Sequence, residues 1–355
     1  MITFYPGPSK IYPQVEQYLA DAYRSGILSM NHRSAAFMTM LEGTLAALRE
    51  KLAIPASYEV YLTSSATEGW EIVAQSLVAR RSLHLYNGAF GEKWYAYTRR
   101  LRAEAVGLPF DFQTLPDPQA PGTYPDAEVL CLTHNETSNG TALPDASLRA
   151  LRGYFAGLIA IDATSSMAGV ATDWLLGDVW LASVQKCFGL PPGLGVLVVS
   201  PRAVARAEER AERNHYNSLL FLRENFIQNQ TPYTPNTLAI YLLGRVMQQV
   251  PPLAEVDAET HRRAADWYAF LAAQGFGLLV TEPDVRSPTV VVVQSTPAEV
   301  TRLKAAASEA GIVVGSGYGT WKATTFRMAN FPAITLSEIE QFQTFLRKRS
   351  WEQHE

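Results

Sequence analysis

Near the start of the chain, apolar residues recur at helical spacing in two stretches, PQVEQYLADAYRSG and SAAFMTMLEGTLAALREKLA, and the second stops before IPAS. Residues three and four apart share one face of an α-helix, so two amphipathic helices are predicted after an irregular, proline-rich start. The pattern then changes. Short β-rich runs, YEVYLT, SLHLY, AEVLCLT and GLIAID, alternate with helical stretches opening at Thr67, Phe90 and Pro144, and DVWLAS and GVLVVS follow. Runs that are apolar throughout mark strands covered by helices on both faces. An α/β fold with a mainly parallel sheet between helices is therefore predicted.

After the helical stretch TLAIYLLGRVMQQV, the proline pair in PPLAEVD interrupts the pattern, and a long helix runs through HRRAADWYAFLAAQ. GLLV, SPTVVVVQ, a helix over PAEVTRLKAAASEAG, IVVG, TTFRMAN and a last helix then read as a compact α+β unit. The expected organisation is an N-terminal segment over 1–14, a large domain over 15–250 and a smaller C-terminal α+β domain over 251–355. No internal repeat, low-complexity tract or heptad run is present.

With 355 residues, 47% of them hydrophobic, the chain can bury a large core. A formal charge of −4 creates no global field that would gather nucleic acid or an acidic membrane, which favours small-molecule chemistry. The opening MITFYPGPSK lacks the charged-then-apolar layout of a signal peptide, and no apolar run reaches the roughly 20 residues of a membrane span. A cytoplasmic location is expected. Cys131 and Cys187 are too few for a disulfide framework and show no metal-ligand spacing, so both are expected to be reduced and structural, with no metal site.

In a doubly wound sheet the ligand lies beyond the carboxyl ends of the strands. The residues there are Thr63 to Glu68, Asn87 to Phe90, Thr133 to Thr137, Asp162, and Ser183 to Lys186. Alone, Asp162 reads as a strand-end carboxylate bound by backbone amides, and Lys186 as a solvated loop lysine. Together, at the ends of successive strands, they match what pyridoxal phosphate chemistry requires. The acid keeps a pyridine nitrogen protonated; the amine forms a Schiff base with the aldehyde and, with its pKa lowered by burial, shuttles a proton. TSSATEGWEIV offers small hydroxyl residues directly before a helix, a place where free amides can hold a phosphate. Phe90 in NGAFGEKW can stack on a flat ring or simply pack in the core. The GLG at Gly193 to Gly195 leads into a strand and so is not a dinucleotide fingerprint; it is expected to let the chain pass close to the lysine.

Taken together, FYPGPSK, MNHRS, SSATEG, THNETSNG, AIDATSS, SVQKCFGLPPGLGV, TPYTPNTLAIYLLG and FRMANFPA resemble the motifs of the class V, fold type I aminotransferases, and within them the phosphoserine branch. The resemblance covers nearly the whole chain. It implies a seven-stranded sheet, a homodimer with shared active sites, and transfer of an amine between 3-phosphoserine and 2-oxoglutarate in serine biosynthesis. By that resemblance Lys186 is the Schiff-base lysine and Asp162 the pyridinium partner of pyridoxal 5'-phosphate. Gln185, Phe90 and Thr137 would contact the cofactor, and Ala66 and Thr67 would hold its phosphate, completed by Tyr233 and Thr234 from the second subunit. Arg327 would grip the substrate α-carboxylate, and His32 and Arg33 of the neighbouring subunit its phosphate.

Two positions depart from that branch: Glu68 stands where an arginine is usual near the cofactor phosphate, and Thr320, followed by Trp321 and Lys322, stands near the place of an expected histidine. Other readings stand beside it: a class V enzyme for serine or alanine with glyoxylate, a non-catalytic regulatory protein that binds the cofactor, and a nucleotide-dependent α/β enzyme. The last lacks a glycine-rich strand-to-helix turn. A cysteine desulfurase would need a cysteine on a late loop, and none follows Cys187.

Overall fold

The computed structural model describes residues 1–102 and 104–349. The chain opens with β1 (Ile2–Phe4), a loop, α1 (Val15–Arg24) and α2 (Ala35–Lys51). Val15, Tyr18 and Ala22 of α1, and Phe37, Leu41, Thr44 and Leu48 of α2, are the buried faces that the helical spacing calls for. The Ser34 hydroxyl accepts from the Phe37 amide and fixes where α2 begins.

Next come β2 (Glu59–Thr63), α3 (Ala66–Ser76), β3 (Ser82–Tyr86), α4 (Ala89–Leu101), β4 (Val106–Pro109) and β5 (Val129–Thr133). A hairpin of β6 (Asn135–Glu136) and β7 (Thr141–Ala142) precedes α5 (Asp145–Tyr154), β8 (Leu158–Asp162), β9 (Val179–Ser183) and β10 (Gly195–Val199). The helices α6 (Pro201–Arg210), α7 (Leu219–Phe226) and α8 (Thr237–Gln249) follow. Seven of these strands form one sheet in the order β2-β10-β9-β8-β5-β3-β4. Only β10 runs against its neighbours, so the sheet is mainly parallel, as the apolar runs predict. Every residue of β8, β9 and β10 is buried, which is why these strands show no alternation in sequence.

The remaining elements are α9 (Leu253–Ala273), β11 (Gly277–Leu278), β12 (Val290–Gln294), α10 (Pro297–Glu309), β13 (Ile312–Ser316), β14 (Thr325–Ala329) and α11 (Leu336–Lys348). Their sheet has the order β1-β13-β14-β12-β11. The start of the chain, read from sequence as irregular, therefore departs from expectation: Ile2 to Phe4 pair in parallel with Ile312 to Val314. The reason is packing, because Phe4 is fully buried with its ring centroid 4.7 Å from that of Phe342 and 6.0 Å from that of Trp267. Between β1 and α1 the chain crosses the mouth of the large sheet. Ser9 donates its amide to the Gln185 carbonyl at 2.9 Å, and Tyr12 to that of Gly189 at 2.9 Å.

Candidate active site

The ends of β5, β8 and β9, the first turns of α3 and α4, the N-terminal crossing and β14 enclose a cavity of about 280 Å³. Lys186 enters it from the turn after β9. Its side chain is buried; Nζ donates to Thr137 Oγ1 at 2.7 Å and to Ser165 Oγ at 2.8 Å, and lies 5.2 Å from the centre of the Phe90 ring. Loss of water lowers its pKa to about 8, even though Asp162 and Glu136 pull the other way. A sizeable neutral fraction of this amine is thus present at mildly alkaline pH.

Asp162 ends β8 on the same cavity. Its Oδ1 accepts from the Thr164 amide at 2.9 Å and hydroxyl at 2.5 Å, and its Oδ2 from Trp70 Nε1 at 2.8 Å. Burial still pushes this carboxyl upward, against those donors and the charge of Lys186. Arg327, on β14, is also buried at the cavity wall. Its Nη1 donates to the Thr137 carbonyl at 2.9 Å and its Nε to that of Ser316 at 2.8 Å, which leaves Nη2 for an incoming acid. Its guanidinium carbon lies 5.3 Å over the Tyr318 ring, itself 5.3 Å from the ring of Phe90.

Phe90 stands at the start of α4, where Glu136 fixes the helix: one carboxylate oxygen accepts from the Phe90 and Gly91 amides at 3.1 and 3.2 Å. The other accepts from the Ser138 amide and hydroxyl at 2.9 and 2.6 Å. Gly88 permits this approach, since a Cβ there would lie 2.3 Å from Glu136 Cγ. The expectation for Gly193 to Gly195 needs correction. A Cβ on Gly195 would meet Thr63 Oγ1 at 2.5 Å and the Ser65 backbone, so that glycine clears the start of α3; the glycine against Lys186 is Gly7, whose Cβ would lie 3.0 Å from Cε.

Ala66, Thr67 and Gln185 line the cavity. The Ala66 amide donates to Ser183 Oγ at 2.8 Å and is engaged, whereas Thr67 is exposed at the first turn of α3. Glu68 folds back on its own helix: Oε2 accepts from the Ser64 amide and hydroxyl at 2.6 and 2.8 Å, and Oε1 from Tyr216 Oη at 3.0 Å. It does not line the cavity. Neither do His32, Arg33, Tyr233 and Thr234. Arg33 Nη1 donates to Gln230 Oε1 at 2.5 Å and Asn225 Oδ1 at 3.3 Å, His32 rests 6.5 Å from the Phe37 ring, and the Tyr233 ring lies 5.7 Å from that of Tyr216. Thr320 and Lys322 are exposed and outside the cavity. Cys131 and Cys187 are buried free thiols, both pushed upward by burial.

Two polar atoms have no partner at this site: Thr133 Oγ1 and Asn135 Nδ2 are buried and unbonded, on residues that line the cavity. With a buried amine, a buried carboxylate and an aromatic face, this donor set suits a flat polar ring that accepts hydrogen bonds. Among the described residues no group of three or more His, Cys, Asp or Glu could hold a metal ion, and no helix is long and apolar enough to cross a membrane.

The family model for class V aminotransferases matches residues 4–337. The chain belongs to the class V aminotransferase family. It is 27% identical to a phosphoserine aminotransferase of Rhodococcus opacus, over 94% of this chain and 91% of that protein. Its structure superposes on that of a phosphoserine aminotransferase from Cytophaga hutchinsonii with a TM-score of 0.92 at 33% identity, covering 98% and 99% of the two chains. An aspartate aminotransferase from Thermus thermophilus shares the fold, with a TM-score of 0.86 at 24% identity and 98% and 99% coverage.

Several residues of this class V site carry no local sequence signal. Trp70 reads as a core position of α3, and only the packing of that helix over the sheet brings its indole N–H to Asp162. Ser165 and Tyr318 each sit in a short polar stretch, and Lys93 reads as a solvated helix residue. Glu136 has a signal, the polar run THNETSNG directly after an apolar strand, but its target at α4 is remote in sequence.

Proposed function

We propose that this class V aminotransferase is a pyridoxal 5'-phosphate-dependent transaminase that moves the amine of 3-phosphoserine to 2-oxoglutarate by a ping-pong route, in the cytoplasm, as a step of serine biosynthesis. The observation that carries the reading is one cavity holding a buried amine of lowered pKa, a buried carboxylate and, across from them, an arginine with a free edge. When bound, the cofactor supplies an electron-withdrawing ring that stabilises negative charge at the substrate Cα.

The protein's own groups do the rest. Lys186 is the attachment amine and, once free, the base that carries a proton to and from Cα; Thr137 and Ser165 aim it. Asp162, held by Trp70 and Thr164, would hold a protonated ring nitrogen of the bound cofactor. Phe90 would cover one face of the ring, Gln185 and Thr137 would border it, and Arg327 would orient the α-carboxylate. The Thr67 end of α3, with Ala66 behind it, receives the cofactor phosphate. His32, Arg33, Tyr233 and Thr234 act across a homodimer interface, completing the phosphate sites of the partner. All four lie outside the cavity of their own chain, which supports a role at the site of another copy.

The test is glutamate formation from 3-phosphoserine and 2-oxoglutarate by the purified protein loaded with cofactor, with serine and alanine as alternative donors. Turnover of 3-phosphoserine that Lys186→Ala abolishes is the expected result. Turnover of serine or alanine alone would overturn the assigned substrate.

A further inference from the structure

Three cations line the cavity: Lys186, Arg327 and Lys93. The first two have roles above; Lys93 does not. It lies three residues beyond Phe90 on α4, so the two side chains share one helix face. Its Nζ is 5.6 Å from the centre of the Phe90 ring and donates to Tyr318 Oη at 3.4 Å. No carboxylate pairs with it among the described residues. Arg327 packs over the face of the same Tyr318 ring, at 5.3 Å. Tyr318 thus separates two cations that open on one space, one at its face and one at its hydroxyl. A half-buried ammonium beside a phenol and an aromatic face keeps its charge available to an anion that enters the cavity.

Resting on the transaminase reading, we infer that Lys93 is a specificity-determining residue that binds the second anionic group, carboxylate or phosphate, on the side chain of the amino-acid substrate, while Arg327 holds its α-carboxylate. Lys93 then favours amino acids with an acidic side chain over serine and alanine, in addition to the contacts proposed above for His32 and Arg33 across the interface. Thr320 and Lys322 are exposed and do not line the cavity, so Lys93 is the cation placed to take that role.

The test uses the holoenzyme, Lys93→Met and Lys93→Arg. Calorimetric titration with maleate, a diacid that cannot be transaminated, reads binding directly. Values of kcat/KM for L-glutamate, O-phospho-L-serine and L-alanine read selectivity. Lys93→Met should weaken maleate about tenfold or more, as loss of one charge-assisted hydrogen bond does, and lower the ratio of acidic donors to alanine by a similar factor. Lys93→Arg should restore both. A dependence confined to glutamate, or to phosphoserine, supports the inference and identifies the anion that is read. Maleate binding equal in wild type and Lys93→Met, or a loss shared equally by alanine, overturns it. Should no donor be turned over while maleate binding still depends on Lys93, the failure lies with the proposed reaction and not with this contact.

Discussion

Asp162 ends β8 and Lys186 follows the neighbouring strand β9, and the two meet in a cavity of the single chain, whereas His32, Arg33, Tyr233 and Thr234 lie outside it. The first pair is held within the chain: the amine donates to Thr137 and Ser165, and the acid accepts from Trp70 and Thr164. The second set is half-exposed or exposed, and Arg33 spends its contacts on Gln230 and Asn225. One chain brings the amine and the acid together, whereas under the homodimer proposed above His32 and Arg33 would reach the cavity only from a second copy.

Variants can break this contrast in order of expected size. Lys186→Ala removes attachment and proton transfer together, so transamination measured by glutamate release should fall to background. Asp162→Asn keeps the shape but not the charge; a loss of about 10²- to 10⁴-fold in kcat is expected, with the substrate KM little changed. Arg33→Ala should raise KM for the phosphorylated donor about tenfold and leave that for alanine near its starting value. Hybrid dimers sharpen the point: mixing Lys186→Ala protomers with Arg33→Ala protomers places an intact Arg33 beside an intact Lys186 in one of the two sites. Activity of normal KM should then reappear, and its absence would place Arg33 outside the shared site.

The smallest expected effect concerns the scaffold. His134 and His84 are buried, and burial lowers their pKa values to about 4 and about 3. Their neutral forms contribute stability that is present above the ordinary histidine pKa and lost as pH falls from about 6.5 toward those values. For His134 the loss at pH 5 is about 2 kcal/mol, and His134→Gln should flatten the fall of the urea midpoint between pH 7 and pH 5.

Much of the large sheet was legible because buried strands read as apolar runs, and the polar residue that ends each run marks its carboxyl end. That rule located Asp162, Lys186, Phe90 and Thr137 without any tertiary information. It missed β4, where Gly107 and Pro109 interrupt the run; such residues are tolerated because β4 is the edge strand. It read Ile2 to Phe4 as irregular because a three-residue strand has no period to detect. Trp70, Tyr318 and Lys93 escaped for another reason. Each has an ordinary local reading, and only the meeting of α3, α4 and the loop after β13 gives it a task. Glu68 shows the reverse case: its charge suggested conflict with a bound phosphate, yet its carboxylate is fully occupied by Ser64, Tyr216 and Asn217.

The central claim is that the amine of Lys186 is the covalent anchor of pyridoxal 5'-phosphate. Borohydride reduction of the protein after incubation with the cofactor, followed by peptide mapping, tests it directly. The account predicts a single phosphopyridoxyl adduct on Lys186, with attachment growing faster as pH rises through about 8. An adduct on another lysine with Lys186 unmodified, or no adduct at any pH, would contradict it.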